Sequence, residues 1–190
     1  MPKNEYVFAL GNIFYNMKAY DDAIVAFEIL TKSTPSYAES YYMLGWCYDC
    51  KGDTASALNY FYKCYEYDPK NERNLLGMAV QYKKRGDYIA MKGCMNKALS
   101  IKIKEEFYTT RAFAELNLGQ YISAIDDCDK AIAISREHPD AFYNQGVALK
   151  AMGFYEKAAK DFDQALILDP KSTEARDQRD DCLSLLHQKK

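Results

Sequence analysis

The sequence contains few of the residues on which most catalytic and metal sites are built. Only two histidines, His138 and His187, and one tryptophan, Trp46, occur among its 190 residues. It has no glycine-rich phosphate loop and no nucleophile elbow, and neither histidine has sequence neighbours that would make it a general base. We therefore expect a non-catalytic protein that needs no cofactor and no metal ion.

Long apolar runs and a strong net charge are also missing. No run of about 18 apolar residues, the length of a membrane-spanning helix, is present. A net charge of -2 with mixed signs argues against a nucleic-acid surface. The apolar stretch near the N-terminus is interrupted by Gly11 and Asn12, which is not typical of a signal peptide. We expect a cytoplasmic protein without membrane insertion.

Proline is scarce, with five residues, and no low-complexity segment occurs that could act as a flexible linker. The composition, 48% hydrophobic and 27% charged, is typical of a globular protein. The prediction is one continuously packed domain over residues 1–190.

Six cysteines are present, and two of them, Cys47 and Cys50, form a C-x-x-C pattern. Both lie in the middle of a predicted helix, no second C-x-x-C follows, and the histidines are distant, so packing explains this pair better than a metal or redox site. Cys64, Cys94 and Cys128 fall in predicted helices where a free thiol packs as a small apolar group.

The sequence is dominated by an internal repeat. Small residues recur 34, 34, 33 and 34 positions apart at Gly11, Gly45, Ala79, Ala112 and Gly146. At the same spacing a second column holds Ala23, Ala57, Met91, Ala124 and Ala158, and a third holds Phe27, Phe61, Met95, Cys128 and Phe162. Three columns that stay in step over five units predict a repeat array.

Each unit contains the pattern of two amphipathic helices. In the second unit Tyr41, Leu44, Gly45 and Tyr48 follow helical spacing, and the second helix begins after Gly52. Glycine also stands at this turn as Gly86, Gly119 and Gly153, with Lys18 in the first unit. Proline is expected to end the second helix at Pro35, Pro69 and Pro170. The small columns would let two helices approach closely, with the large column filling the space beside them.

The pattern of small residue, turn glycine, tyrosine, alanine, phenylalanine and proline resembles the tetratricopeptide repeat (TPR) family. The units lie at about residues 4–37, 38–71, 72–104, 105–138 and 139–172. Units two and five match best, and unit three departs most. The resemblance implies an all-α fold, a right-handed α-solenoid of five antiparallel helix pairs followed by a capping helix at about 173–188.

The two ends of the array differ. In the C-terminal helix Ala175, Cys182, Leu183 and Leu186 are expected to form an apolar stripe, and its other positions are strongly charged, as suits a solvating cap. At the N-terminus no polar helix precedes Tyr6, Leu10 and Phe14. Either an upstream segment covers this face, which we favour, or it meets a partner, including a second copy of the chain.

An acidic run, Asp126, Asp127 and Asp129, is interpreted as the solvated face of a helix.

The first helix of each unit carries a second stripe, more apolar than internal packing requires. In proteins of the resembled family these positions line a concave groove that binds an extended or helical peptide, and the resemblance implies the same here. The candidate residues are Phe8, Asn12, Tyr42, Trp46, Arg73, Val80, Lys83, Lys84, Phe113, Tyr143 and Lys150. The aromatic side chains are the best anchors, Trp46 first among them.

The basic candidates, Arg73, Lys83, Lys84 and Lys150, predict a peptide with apolar or aromatic anchors and an acidic residue near its middle. The alternative is that stripe residues pack against the adjacent repeat instead.

One recognition mode of the family is disfavoured. Chaperone co-factors that bind Hsp70 or Hsp90 tails hold the terminal carboxylate with Lys and Asn, then Asn, then Lys and Arg. The first triplet of units offers Phe8, Asn12, Met43, Arg73 and Gly77, of which only Asn12 and the basic Arg73 fit.

We therefore expect an adaptor or scaffold that binds a protein segment in a groove. Two alternatives stay open: a structural module that builds homo-oligomers, and the partner-recruiting region of a larger protein.

Overall fold

The computed structural model describes residues 3–188, and within that range the chain forms eleven α-helices and no strand. Ten of them occur two to a repeat: α1 (Lys3–Asn16) and α2 (Tyr20–Ser33), α3 (Ala38–Cys50) and α4 (Thr54–Tyr67), α5 (Glu72–Arg85) and α6 (Tyr88–Ile101), α7 (Glu105–Asn117) and α8 (Tyr121–Ile134), and α9 (Pro139–Ala151) and α10 (Tyr155–Leu168). The last helix, α11, spans Thr173–Gln188. The predicted all-α class, helix pairs and final helix are confirmed.

The turn within each pair has the predicted left-handed residue. Gly52, Gly86, Gly119 and Gly153 have φ between 71° and 83°, the region in which a side chain is strained. Lys18 takes the same conformation in the first pair, with φ 61°. The second helices of units one, two and five end two residues before Pro35, Pro69 and Pro170, as predicted.

The small and large columns meet inside the first, second and fifth repeats. A Cβ atom added to Gly11, Gly45 or Gly146 would lie 2.6 to 2.8 Å from the ring of Phe27, Phe61 or Phe162 in the partner helix. All three rings are fully buried. The missing side chain is therefore what lets the two helices approach, which confirms the mechanical role predicted for these columns.

The helices fall into two compact units, each larger than a single repeat, which are called unit 1 and unit 2 from here on. Unit 1 is Met1–Asp87 and contains α1 to α5, and unit 2 is Tyr88–Lys190 and contains α6 to α11. In each unit, neighbouring helices along the chain pack on one another, and α3 also contacts α5 while α7 contacts α9. The third repeat contributes one helix to each unit. The prediction of a single domain over residues 1–190 stays a prediction.

The last helix packs on α10 and α9. Ala175 and Cys182 are fully buried, and Leu186 is half-buried. Leu183 is 42% exposed, so its place in the predicted apolar stripe is wrong. One position along a helix turns the side chain by about 100°, and the packing against α10 already uses Cys182.

Asp126, Asp127 and Asp129 were predicted to lie on the solvated face of a helix, and this prediction is wrong for Asp127. The side chain of Asp127 is only 3% exposed and accepts two hydrogen bonds from Arg111, at 2.5 and 2.7 Å. Asp126 is exposed and pairs with Lys130, and Asp129 is exposed and accepts a hydrogen bond from Gln145. Asp127 therefore belongs to the interface of α7 and α8, not to the solvated face.

The six cysteines are free thiols, and all except Cys50 are buried. Among residues 3–188 no group of three or more His, Cys, Asp and Glu side chains is arranged to hold a metal ion. In the same range, no helix combines the length and the apolar character needed to cross a bilayer.

Candidate peptide-binding surface

In unit 1 the predicted anchors Tyr42 and Trp46 lie side by side on α3. One helical turn separates them, and their ring centroids are 6.1 Å apart with nearly perpendicular planes. Both rings rest on the buried Phe61 of α4, at 5.4 Å for Trp46 and 6.0 Å for Tyr42. Each is half-buried, so part of each ring contributes to the core and part faces solvent. The packing fixes their orientation before any ligand is present.

Arg73 of α5 joins this aromatic pair. Its guanidinium lies 5.0 Å from the centre of the Tyr42 ring, within cation–π range. The same guanidinium donates hydrogen bonds of 3.0 and 3.1 Å to both carboxylate oxygens of Glu39. Tyr42, Trp46 and Arg73, separated by up to 31 positions in sequence, therefore form one surface.

The predicted lysines Lys83 and Lys84 lie about three helical turns beyond Arg73, near the end of α5. Lys84 donates a hydrogen bond of 2.5 Å to Asp49 of α3, and Gln81 donates one of 2.6 Å to the same oxygen. Lys83 is exposed. Because the carboxylates of Glu39 and Asp49 pair with Arg73 and Lys84, the net positive charge of the surface formed by α3 and α5 is smaller than the sequence suggests.

The remaining candidates of unit 1 are half-buried. Phe8 of α1 packs against Phe27 at 5.6 Å and against Tyr37 at 5.4 Å. Asn12 and Val80 are likewise partly exposed. Phe8 is thus engaged in packing around the first repeat, whereas Tyr42 and Trp46 lie side by side with ring surface open to solvent.

Unit 2 carries the other three candidates on α7 and α9. Phe113 packs edge-on against Tyr88 at 6.1 Å, and Tyr143 lies 5.7 Å from the buried Phe162. Lys150 donates 2.7 Å to Gln178, and its ammonium lies 2.5 Å from Asp181 of the last helix. Lys150 is therefore paired across the interface of α9 with α11.

A shallow cavity of about 180 Å³ opens beside Tyr143. Its lining includes the carboxylates of Asp140, Asp169 and Glu174. Burial, and then the charge of Glu174, raise the pKa of the Tyr143 hydroxyl. The local charge is negative, so this cavity favours a basic or neutral group and disfavours an acidic one.

Sequence reasoning missed the partners of the basic residues. Glu39, the partner of Arg73, stands 34 positions before it, one repeat apart. Asp49 likewise stands 35 positions before Lys84. Opposite charges one period apart are the signal that could have found both pairs, because equivalent positions of consecutive repeats are neighbours in a stacked array.

Of the C-x-x-C pair, only Cys47 has the properties of a packing residue. Cys50 is exposed and is the last residue of α3, so the prediction that both lie in the middle of the helix is wrong for Cys50. Burial, with the nearby Cys50, raises the pKa of the Cys47 thiol to about 12. Cys50 Sγ is 3.6 Å from the Tyr15 hydroxyl. A reactive or metal-binding cysteine needs a stabilised thiolate, and burial acts against that at Cys47.

Two segments of the chain match the tetratricopeptide-repeat family, residues 38–71 and residues 139–172. They are the second and fifth units of the repeat, the two in which the signature residues are most complete. This is a tetratricopeptide repeat protein.

A human relative, Sperm-associated antigen 1, is 34% identical to this TPR protein over 95 residues. That match covers 50% of the chain and 10% of the relative. The chain therefore spans a small part of that relative's length.

Many solved structures share the fold, and two of them are described as peptide binders. YrrB, described as a TPR protein with an unusual peptide-binding site, superposes with a TM-score of 0.79 at 19% identity, covering 92% of this chain and 90% of that one. The first TPR of Spaghetti (RPAP3), bound to the HSP90 peptide SRMEEVD, superposes with a TM-score of 0.60 at 27% identity, covering 62% and 97%. The TPR fold is the fold of a protein–protein interaction module.

Proposed function

We propose that this protein is a non-catalytic adaptor that binds an extended or helical segment of a partner protein, with an apolar or aromatic anchor seated on Tyr42 and Trp46. The observation that carries the proposal is the half-buried aromatic pair, which Phe61 supports from below and Arg73 borders. The peptide-binding site described for YrrB and the peptide bound to the first TPR of Spaghetti support this kind of ligand.

The residue types favour a binding hot spot. Tryptophan, tyrosine and arginine dominate such spots because they offer large contact areas and lose little conformational freedom when they are already held. Here the contacts with Phe61 and Tyr42 hold Trp46 in place before binding. Solvent-facing ring surface that is rigid in the free protein is available for an anchor at low entropic cost.

Arg73 supplies the charge preference. Its ion pair with Glu39 is partly open to solvent, with 55% of the Arg73 side chain and 28% of the Glu39 side chain exposed. A pair of this exposure contributes only about 0 to 1 kcal/mol. A ligand carboxylate can therefore replace Glu39 at small cost, and we expect an acidic residue close to the anchor of the peptide.

Unit 2, taken by itself, offers contacts of another kind. Phe113 and Tyr143 present partly exposed rings, while the cavity beside Tyr143 is lined by carboxylates. A segment bound at this surface would place a basic or polar side chain in the cavity. Lys150, paired with Asp181, contributes little free positive charge.

A chaperone-tail clamp is not the proposed mode. A clamp needs a polar side chain at position 77, but a Cβ atom on Gly77 would lie 2.8 Å from the Phe61 ring. Met43 occupies another clamp position and packs against the core of the first repeat. Only Asn12 and Arg73 remain, too few donors to hold a terminal carboxylate.

The proposal is tested with an array of immobilised 12-residue peptides that vary an aromatic anchor and a neighbouring acid. Trp46 is the only tryptophan, so its fluorescence reports directly on a selected peptide in solution. We expect Trp46→Ala to weaken binding at least tenfold, which corresponds to about 1.4 kcal/mol, and Arg73→Ala to do so chiefly for acidic peptides. The tryptophan-free variant is followed by fluorescence anisotropy of a labelled peptide.

Ile89→Ala is the matched control, because Ile89 is 74% exposed on a second helix and lies outside the proposed surface. The peptide SRMEEVD serves as the clamp probe, and we expect no measurable binding. Equal affinity of wild type and folded Trp46→Ala protein would refute the anchor, and tight binding of SRMEEVD would establish the clamp instead.

A further inference from the structure

The first helix exposes a row of large apolar side chains. Tyr6, Leu10, Ile13 and Met17 are 63%, 46%, 53% and 70% exposed. Their spacing of four, three and four residues places them on one face of α1 and its C-terminal turn, which we name the α1 face. No charged residue interrupts it.

The repeat alignment shows what this face does elsewhere in the chain. In the next four repeats the residues equivalent to Tyr6 are Ser40, Asn74, Phe107 and Ala141. Those equivalent to Ile13 are Cys47, Gln81, Ala114 and Ala148. All eight are buried. At these two positions the surface is open only in the first repeat, so Tyr6 and Ile13 occupy packing positions that nothing in the described chain covers.

The α1 faces of two copies of the chain are complementary when the two helices run antiparallel. When two α1 helices pack antiparallel about a two-fold axis between residues 11 and 12, Tyr6 of one copy stands level with Met17 of the other. Leu10 then stands level with Ile13, at the centre. Apolar residues meet apolar residues along the whole row, and a methionine beside an aromatic ring is a favourable contact.

The charges at the two ends favour the same orientation. Glu5 lies at the start of α1 and Lys18 just beyond its end, and both are exposed. The antiparallel arrangement sets Glu5 of each copy level with Lys18 of the other, twice per dimer, and also opposes the helix dipoles. A parallel arrangement would set like charges together.

We propose that the α1 face is a homodimer interface in which the α1 helices of two copies pack antiparallel. The interface is separate from the proposed peptide surface. Phe8 and Asn12 lie two residues on either side of Leu10, about 160° from it around the helix axis. Self-association and peptide binding therefore use opposite sides of α1.

The dimer is expected to be weak. Four partly exposed side chains per copy make an apolar patch of a few hundred Å², at the lower end for a specific interface. We expect a dissociation constant on the order of 10⁻⁵ M, so that monomer and dimer coexist in the micromolar range.

Sedimentation equilibrium of the full chain from about 5 to 500 μM tests the proposal. We expect a monomer–dimer equilibrium in wild type and at least a tenfold weaker dimer in Leu10→Lys/Ile13→Lys. Both positions face solvent in the monomer, so the variant should keep its helical circular dichroism. The matched control is Ile89→Lys/Ile122→Lys, which alters two side chains that are 74% and 75% exposed and leaves the dimer unchanged.

Exchanging the charges of Glu5 and Lys18 distinguishes homodimerisation through the α1 face from the binding of a different protein to it. Glu5→Lys and Lys18→Glu should each weaken the dimer, because each sets like charges together, and the doubly exchanged variant should restore it. A wild-type chain that stays monomeric up to 500 μM overturns the proposal, as does a dimer that the control variant weakens equally. Failure of the double exchange to restore the dimer overturns the antiparallel arrangement.

Discussion

At the scale of single residues, glycine sets the distance between helices. Phe61 is enclosed by two of them: a Cβ atom would lie 2.6 Å from its ring at Gly45 and 2.8 Å at Gly77. The ring is fully buried and cannot move aside. We expect Gly45→Ala and Gly77→Ala each to lower the free energy of unfolding by about 1 to 2 kcal/mol, because overpacking outweighs the higher helix propensity of alanine.

Chemical denaturation measures this effect, and Gly93→Ala is its control. Gly93 is also inside a helix, but nothing lies within 4 Å of its Cβ position. There alanine should raise the free energy of unfolding by roughly 0.5 to 1 kcal/mol. Stabilisation by all three substitutions would contradict the packing argument.

The sequence predicted one of these two glycines and not the other. Gly45 belongs to a column that recurs in every unit, so its partner Phe61 followed from the family pattern. The positions equivalent to Gly77 in the other repeats hold Ala9, Met43, Thr110 and Asn144, so Gly77 belongs to no column of small residues. Its contact with Phe61 comes from stacking of successive repeats in unit 1, and periodicity alone does not specify which side chain fills such a gap.

At the scale of helices, a buried ion pair connects α7 and α8. Only 19% of the Arg111 side chain and 3% of the Asp127 side chain are exposed, and Arg111 also donates 2.8 Å to Asn96 of α6. We expect Asp127→Asn to cost about 2 to 3 kcal/mol of unfolding free energy, because it leaves a poorly solvated guanidinium without its counter-charge.

Thermal and chemical unfolding test this prediction with Asp126→Asn as the neighbouring control. The Asp126 side chain is 64% exposed, and its ion pair with Lys130 joins adjacent turns of one helix. Its loss should change stability by less than about 0.5 kcal/mol. Similar effects of both substitutions would argue against a special role of the buried pair.

The error over Asp127 has a recognisable origin. Ala124, Asp127, Cys128 and Ala131 follow helical spacing, and all four are buried. Grouping Asp127 with its acidic neighbours hid that it falls on the packing stripe. The required partner, Arg111, lies 16 residues earlier on another helix, so it could be identified only from the structure.

At the scale of the whole molecule, α1 separates two proposed interactions. Phe8 and Asn12 point away from the row that contains Leu10 and Ile13. We therefore expect the Leu10→Lys/Ile13→Lys variant to bind a selected peptide with wild-type affinity while it loses self-association. Fluorescence titration below and above the dimer dissociation constant is the measurement.

A loss of peptide affinity in that variant would show that the two surfaces communicate or overlap. The reverse experiment is equally informative, because Trp46→Ala should leave the sedimentation of the free protein unchanged.

The fold was far more predictable than the site. Helix pairs, left-handed turns and helix ends follow from local chemistry that recurs five times, so errors in one unit are corrected by the others. The candidate surface depends on contacts between repeats, such as Arg73 with Glu39, and on how much of each ring packing leaves open. The peptide-binding role of these residues, and the handedness of the array, stay predictions.

The Phe61 ring, held between two glycine faces and covered by Trp46, also bears on motion. A half-turn of the ring about its long axis must sweep an edge through space that the backbones of α3 and α5 occupy. Such a rotation is possible only when these helices briefly separate. Each flip would therefore require one transient separation of α3 and α5 beneath Trp46. The flip rate of the Phe61 ring thus reports how often the packing of the second repeat opens.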